Sequence, residues 1–439
     1  MSRRAWGRLP PPSAVAPFAS KEQNLIDRHA ELPKTEGSLL AYGNGRSYGD
    51  VCLNHQGTLL LTRPLQRFIA FDRAHGVLRC EAGVLLADVL ALCVPQGWFL
   101  PVTPGTRFVT LGGALANDVH GKNHPSAGTF GRHVRCFELL RSDGSRRVCS
   151  PTTHSEWFAA SIGGLGLTGL ITWLEIQLKP IDSPCLRLSN TRFQGLDEFF
   201  ALNEAQTQNA STTAEHTVAW IDCLATTPRG IFMTAEHVAN TVATAAKLRS
   251  PKTTSSLALP ELPFAPINRY SLKLLNAAYY HRPLPAQAVV HYLPFFYPLD
   301  RLREWNRLYG RAGFYQYQCV LPWPARAALA ELLQQIARSA QGSFLAVLKA
   351  FGALPSPGLL SFPMPGVTLA LDFPNRGAPS LALFERLDAI VSAAGGRVYA
   401  AKDARMSGAF FRRSYPEFER FSAYVDPKFS SDFWRRIGA

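Results

Sequence analysis

Gly43-Asn44-Gly45-Arg46-Ser47-Tyr48-Gly49 places three glycines in seven residues. A turn this rich in glycine lets successive backbone N–H groups converge on one anion such as a pyrophosphate. It does not match the dinucleotide fingerprint, because the third glycine falls one residue late and no ordinary βαβ unit surrounds it. Taken alone, it reads as a structural turn.

Two further segments change that reading. The first runs through Pro104-Gly105-Thr106-Arg107, Thr110-Leu111-Gly112-Gly113 and Asn117-Asp118-Val119-His120-Gly121-Lys122-Asn123-His124, and the second is Gly163-Gly164-Leu165-Gly166-Leu167-Thr168-Gly169. Polar side chains set this densely among glycines are costly unless a ligand or a hydrogen-bond network satisfies them. Three such loops, each near a strand, point to an extended anion cradle.

Around the cradle, residues 38–180 alternate short β-rich runs (58–62, 67–72, 77–82 and 170–178) with helical segments such as 85–92, and Ser142-Asp143-Gly144-Ser145 predicts a hairpin turn. The first domain therefore mixes strands and helices. From about Asp182 the runs lengthen and become aromatic: 218–223, 292–297, 314–321, 343–351 and 367–373 are predicted strands, with helices at 325–340 and 380–394. This is a second domain, in which the Pro-containing stretch 250–266 reads as a mobile loop. Residues 395–403 predict a strand, after which the tail is expected to fold back onto the first domain.

The 439 residues, 47% apolar and 18% charged, describe a folded globular protein of two or three domain-sized units. The net charge of +14 is dispersed, with no Lys/Arg run and no zinc-finger or RNP signature. That argues against nucleic acid and for a phosphate-bearing ligand or an anionic lipid surface. Eight cysteines without a C-x-x-C pair or histidines at ligand spacing predict buried thiols in a reducing compartment and no metal site. Ser2-Arg3-Arg4 is followed by Pro10 to Pro12 and no apolar segment, so export is not expected, and no run is long enough to span a bilayer.

With these loops, the chain resembles the vanillyl-alcohol-oxidase-like flavoproteins, and within them the decaprenylphosphoryl-β-D-ribose 2′-oxidases, FAD subunits of a 2′-epimerase of cell-wall biosynthesis. The resemblance runs from Trp6-Gly7-Arg8 nearly to the C-terminus. It rests on Gly45-Arg46-Ser47-Tyr48-Gly49-Asp50, Val119-His120-Gly121-Lys122-Asn123-His124, Glu304-Trp305-Asn306-Arg307, Gln316-Tyr317-Gln318 and Ala401-Lys402-Asp403. It implies an α+β, two-domain FAD-binding oxidoreductase fold with an inserted antiparallel-sheet substrate domain. The expected division is 1–181 and 395–439 for the FAD-binding domain and 182–394 for the substrate-binding domain.

Carried over residue by residue, the resemblance sets FAD against Gly43, Asn44, Gly45, Arg46, Ser47, Tyr48, Gly49, Gly105, Thr110, Leu111, Gly112, Gly113, Asn117, Asp118, Val119, His120, Ile171 and Tyr399. Asn117 stands where better-known members carry cysteine. Arg46 stands where flavin-tethering relatives carry histidine, so non-covalent FAD is expected. The resemblance also puts His120 and Lys122 beside the flavin ring and the substrate. Alone, either would read as a loop side chain satisfied by solvent or backbone.

Strand alternation supplies the rest. In a strand at 314–320, Gln316 and Gln318 share a face, and paired amides suit sugar hydroxyls, although two edge-strand glutamines would look the same. Lys349 shares a face with Leu345, Val347 and Phe351, and Lys402 with Val398 and Ala400. A lysine on an apolar face needs an anionic partner or a cavity, unless it snorkels. Trp220 is a candidate cavity wall or a core residue. Ala370 and Thr368 replace a cysteine and an asparagine of better-known members, which alters the pocket floor. Catalytic roles fall to Lys402 and His120, and substrate contacts to Gln316, Gln318, Lys349, Thr368 and Lys122.

The expected reaction is hydride transfer from a secondary sugar alcohol to FAD. The substrate is a phosphorylated lipid-linked sugar, and a separate NAD(P)H-dependent reductase completes the epimerisation. The expected setting is cytoplasmic, with peripheral contact at the inner membrane face and no nucleic-acid partner. Two rivals remain open at this point: a soluble alditol or aldonolactone oxidase, and a non-catalytic lipid-phosphate or nucleic-acid binder with a vestigial flavin fold.

Overall fold

The computed structural model describes residues 3–9, 20–25, 27–208, 214–245, 257–261 and 266–438. Three parallel strands come first, β1 (Lys21–Asn24), β2 (Leu39–Tyr42) and β3 (Thr58–Leu61), with β3 in the middle. An antiparallel sheet of five strands follows: β4 (Phe68–Asp72), β5 (Val77–Glu81), β6 (Val134–Leu140), β7 (Arg146–Cys149) and β8 (Leu170–Gln177), in the order β4-β5-β8-β6-β7. The β6–β7 turn falls at Ser142 to Ser145, where Gly144 takes φ +82°. Helices α1 (Leu86–Cys93) and α2 (Leu111–Ala116) bury Leu86, Val89, Leu90, Leu111, Ala114 and Leu115 in the core of this part.

The second part is an eight-stranded antiparallel sheet. It contains β9 (Cys185–Gln194), β10 (His216–Ile221), β11 (Arg229–His237), β12 (Gln287–His291), β13 (Phe314–Pro322), β14 (Val347–Phe351), β15 (Gly366–Pro374) and β16 (Arg397–Val398). Their order is β12-β9-β11-β10-β14-β15-β13-β16. Helix α3 (Arg269–His281) precedes β12, while α4 (Arg326–Ser339) and α5 (Ala378–Ala393) cover one face of the sheet. Alternation sorts the side chains. Tyr315 and Tyr317 of β13 point at Phe384 of α5, with ring centroids 5.2 and 5.8 Å away, and Val367, Leu369, Leu371 and Phe373 of β15 enter the same core. Burying Leu383, Phe384, Leu387 and Val391 of α5 contributes about 1.5–3 kcal/mol per side chain. The even-numbered residues of β13 and β15 are left for the opposite face.

The chain end returns to the beginning. Leu39 N–H donates to the Lys428 carbonyl (2.6 Å), Ser430 N–H to the Leu39 carbonyl (3.0 Å), and the Arg436 guanidinium grips Asp50 (2.7 and 2.9 Å) and Asp403 (2.9 Å). The result is an α+β fold of two parts, built mainly on antiparallel sheets. Among the described residues no helix is long and apolar enough to cross a membrane, and all eight cysteines are free thiols.

Two predicted strands are corrected. The aromatic run 292–297 is a short helix, Tyr292–Phe296: the His291 ring accepts from Leu293 N–H (3.3 Å) at its start, and Pro294 fits a first helical turn. In 395–403 only β16 is extended, and Ala400–Lys402 forms a 3₁₀ turn. Most of the 250–266 stretch lies outside the described residues; within it, Leu257–Ala258 pairs in parallel with Leu302–Arg303.

Candidate active site

A cavity of about 950 Å³ separates the Gly-rich loops from the free face of the eight-stranded sheet. The loop wall is built by close approach. Gly45 takes φ +59°, and a Cβ on it would lie 2.1 Å from the Tyr42 hydroxyl; a Cβ on Gly43 would lie 2.5 Å from Thr110 Oγ1. Thr110 caps α2 by accepting from Gly113 N–H (3.1 Å), and Asn44 Nδ2 donates to the Phe108 carbonyl (2.7 Å), which ties the first loop to the second. The Arg46 guanidinium lies 4.0 Å from the Trp6 ring centroid, and its burial lowers the pKa.

Most of the expected FAD contacts line this cavity: Gly43 to Tyr48, Gly105, Thr110, Gly112, Gly113, Asn117, Val119, His120, Ile171 and Tyr399. Three do not. Leu111 is wholly buried in the core of the first part. Gly49 packs on the Asp403 backbone, where a Cβ would sit 1.6 Å from the carbonyl oxygen. Asp118 turns away at φ +40°, its carboxylate accepting from Gly131 N–H (2.8 Å) and from the Ser356 and Ser361 hydroxyls (2.5 Å each). Of the substrate-side residues, Gln316, Gln318, Lys349 and Lys122 line the cavity, as do Lys402 and Trp220, but Thr368 does not. Thr368 stands behind Gln318, whose amide it accepts at 3.3 Å.

The cavity is cationic on both sides and sparsely partnered, with Lys349 and Lys402 on the sheet side and Lys122 on the loop that also carries His120. Lys402 comes from the 3₁₀ turn rather than from strand alternation, and its ammonium sits 3.8 Å from the Tyr48 ring centroid. The Lys349 ammonium lies 5.9 Å from the Phe351 ring, and burial lowers it to about 8. Lys122 donates to the Phe295 carbonyl over the Phe295 ring (3.9 Å), and burial and then Lys349 lower it to about 7. Lys179 pairs with Glu215, whereas none of these three lysines has an ion-pair partner among the described residues. His120 meets Gln318 Nε2 through its own Nε2 (2.9 Å), and burial, then the charges of Lys349, His124 and Lys402, hold the imidazole neutral.

Asp372, which stands behind the cavity wall rather than in its lining, was missed. It is fully buried, accepts from Gln316 Nε2 at Oδ1 (2.7 Å), and has no partner at Oδ2. Burial raises its pKa, and its charge acts on Lys402 to oppose the lowering that burial imposes there. The signal was in Val367-Thr368-Leu369-Ala370-Leu371-Asp372-Phe373, where every second residue leaves the apolar core and Asp372 pairs in register with Gln316.

Buried atoms left without a protein partner include Arg46 Nε, Asn117 Oδ1, His120 Nδ1 and Gln316 Oε1, each on a residue that lines the cavity. Orphans on both walls fit a large polar ligand between them.

The profile of the family described as FAD binding domain matches residues 12–150. The chain is 34% identical to decaprenylphosphoryl-beta-D-ribose oxidase of Mycolicibacterium smegmatis, over 98% of its own length and 96% of that protein. An uncharacterized protein of Streptomyces coelicolor is 34% identical over 81% of the chain and 100% of its own length. Cytokinin dehydrogenase 8 of Oryza sativa is 30% identical over 37% of the chain and 34% of its own length.

Proposed function

The chain belongs to the decaprenylphosphoryl-β-D-ribose oxidase family, and from that premise we propose that it oxidises the 2′-hydroxyl of a polyprenyl-phosphate pentose with FAD, as the first half of an epimerisation. The observation that carries the reading is the lining of one cavity by a Gly-rich anion cradle and by three half-buried lysines without ion-pair partners among the described residues. Three partly desolvated cations around one cavity are unfavourable unless an anion or a developing negative charge meets them.

FAD lies against Gly43 to Tyr48, Gly112, Gly113, Asn117 and Tyr399 in this reading, and supplies the acceptor for the hydride. Lys122 and Lys349 hold the substrate phosphate. Gln316 and Gln318 orient the sugar hydroxyls, and the neutral imidazole of His120 is kept in place by Gln318. Lys402 supplies positive charge where negative charge develops, and gains more in the transition state than in the ground state. Residues 1–181 and 395–439 form the cofactor domain and 182–394 the substrate domain. A separate NAD(P)H-dependent reductase returns the keto-sugar to the epimeric alcohol. The enzyme works in the cytoplasm against the inner membrane face, a setting supported by the net charge of +14 and the free thiols.

FAD is held without a covalent bond, since Arg46 occupies the tethering position and a guanidinium is no nucleophile. Acid precipitation is expected to leave a white pellet and a yellow supernatant; a yellow pellet refutes it. The reaction is tested by anaerobic bleaching of the flavin with a short-chain polyprenyl-phosphate pentose, the free pentose, an alditol and an aldonolactone. Bleaching by the phosphorylated glycolipid alone is expected. Bleaching by the alditol or the lactone instead overturns the assignment, and a colourless protein overturns the flavin chemistry altogether.

A further inference from the structure

Seven large apolar side chains stand exposed among the described residues, and four of them sit on α3. Tyr270 and Leu274 are each 73% exposed, Leu275 is 52% and Tyr279 is 38%. The helix is not a fraying end. Leu272, Asn276 and Tyr280 form its buried stripe, Asn276 donates to Asp222 Oδ1 (2.9 Å), and Asn268 closes a capping box with Ser271. A firmly anchored helix that turns its apolar face to solvent marks a contact surface.

The charge around that face has one sign. Arg269 lies 5.1 Å from the Tyr270 ring centroid and Arg282 lies 3.6 Å from that of Tyr279, while Lys273 is exposed between them. No Asp or Glu occurs between Glu261 and Asp300. Leu275, Asn276 and Tyr279 also line the cavity, so the exposed face adjoins it. Aromatic, leucine and cationic side chains on one helix face suit the interface of an anionic bilayer, where the rings sit among the headgroups and the cations meet phosphate.

We propose that α3 is a membrane-docking element: Tyr270, Leu274 and Leu275 insert into an anionic bilayer surface, Arg269 and Lys273 bind its headgroups, and the cavity mouth is thereby held against the leaflet that carries the substrate. The proposal rests on the lipid-linked substrate. Pairing with a second copy is disfavoured by charge, because it would set one cationic, acid-free face against another.

The test uses FAD-loaded protein, with no substrate present, and sediments it with vesicles of phosphatidylcholine alone or mixed with phosphatidylglycerol, scoring bound protein by flavin absorbance. Binding to the anionic vesicles and not to the neutral ones is expected. Leu274→Asn is expected to weaken it at least about tenfold, and Lys273→Gln about fivefold, with flavin content unchanged in both. Absence of binding, or binding unaffected by both substitutions, overturns the proposal. Self-association that Leu274→Asn abolishes also overturns it, in favour of a second copy. Bleaching by a water-soluble short-chain substrate is measured separately. Intact bleaching without vesicle binding overturns the docking alone, and vesicle binding without bleaching overturns the substrate reading alone.

Discussion

Asp118 and Asp372 are both wholly buried carboxylates, one behind the loop wall of the cavity and one behind the sheet wall. Burial raises the pKa of each, but their surroundings differ. Asp118 receives one backbone N–H and two serine hydroxyls, so its charge is absorbed into the architecture of the loops. Asp372 has one amide on one oxygen and nothing on the other, and faces a lysine it does not touch. Both walls keep unpartnered polar atoms toward the cavity, but behind them Asp118 has its partners supplied, whereas Asp372 keeps an open oxygen beside an unpaired lysine. Asp118 thus holds the loops in shape, and Asp372 bears on the charge around Lys402.

The contrast breaks most directly at Lys402. Lys402→Ala is expected to fold and to retain FAD while flavin reduction slows by about 10²–10³-fold. Near-normal anaerobic reduction in a well-folded variant would mean that the open cation has no chemical part. Asp118→Ala should do the opposite, costing about 2–4 kcal/mol of stability by stranding three donors. Loss of turnover without a fall in denaturation midpoint would place Asp118 in the chemistry after all.

A subtler test is the pH dependence of kcat/KM, which reports the free enzyme. Lys122 and Lys349 titrate near 7 and 8, and only their protonated forms attract a phosphate. As pH rises through that window kcat/KM is expected to fall by about tenfold, and Lys349→Arg, which stays charged, should flatten the upper part of the fall. A profile flat to pH 9 in the wild type would separate these lysines from the phosphate. The smallest effect is expected from Gln318→Ala, about fivefold in kcat/KM with unchanged flavin content. Equal loss of flavin would move Gln318 to the architectural side of the comparison.

Much of this was legible in the sequence, for identifiable reasons. Glycines 43, 45, 112 and 113 announced the cradle because close backbone approach excludes other residues there. Gln316 and Gln318 were found because β13 is long, regular and packed on one face, so a period of two fixes what lies on the other. The same rule failed at Lys402, since β16 ends at Val398 and the inward position is set by a turn that periodicity does not see. It misled at Thr368, where the face was right but Gln318 stands between that hydroxyl and the cavity. Tyr292 to Phe296 looked extended because five aromatic and apolar residues are too few to show a helical period. Asp372 passed unnoticed because its significance lies in its cross-strand neighbour, 56 residues earlier in the chain.

The bond between Leu39 and the segment around Phe429 also bears on how the chain is made. A ribosome releases β2 hundreds of residues before its neighbour in the finished protein emerges. Asp50 and His55 likewise wait for Arg436 and Asp432. The first part therefore persists with an open edge on β2 until the segment around Phe429 has been made, by which time the eight-stranded sheet has collected its strands. The part translated first is thus completed after the part translated second.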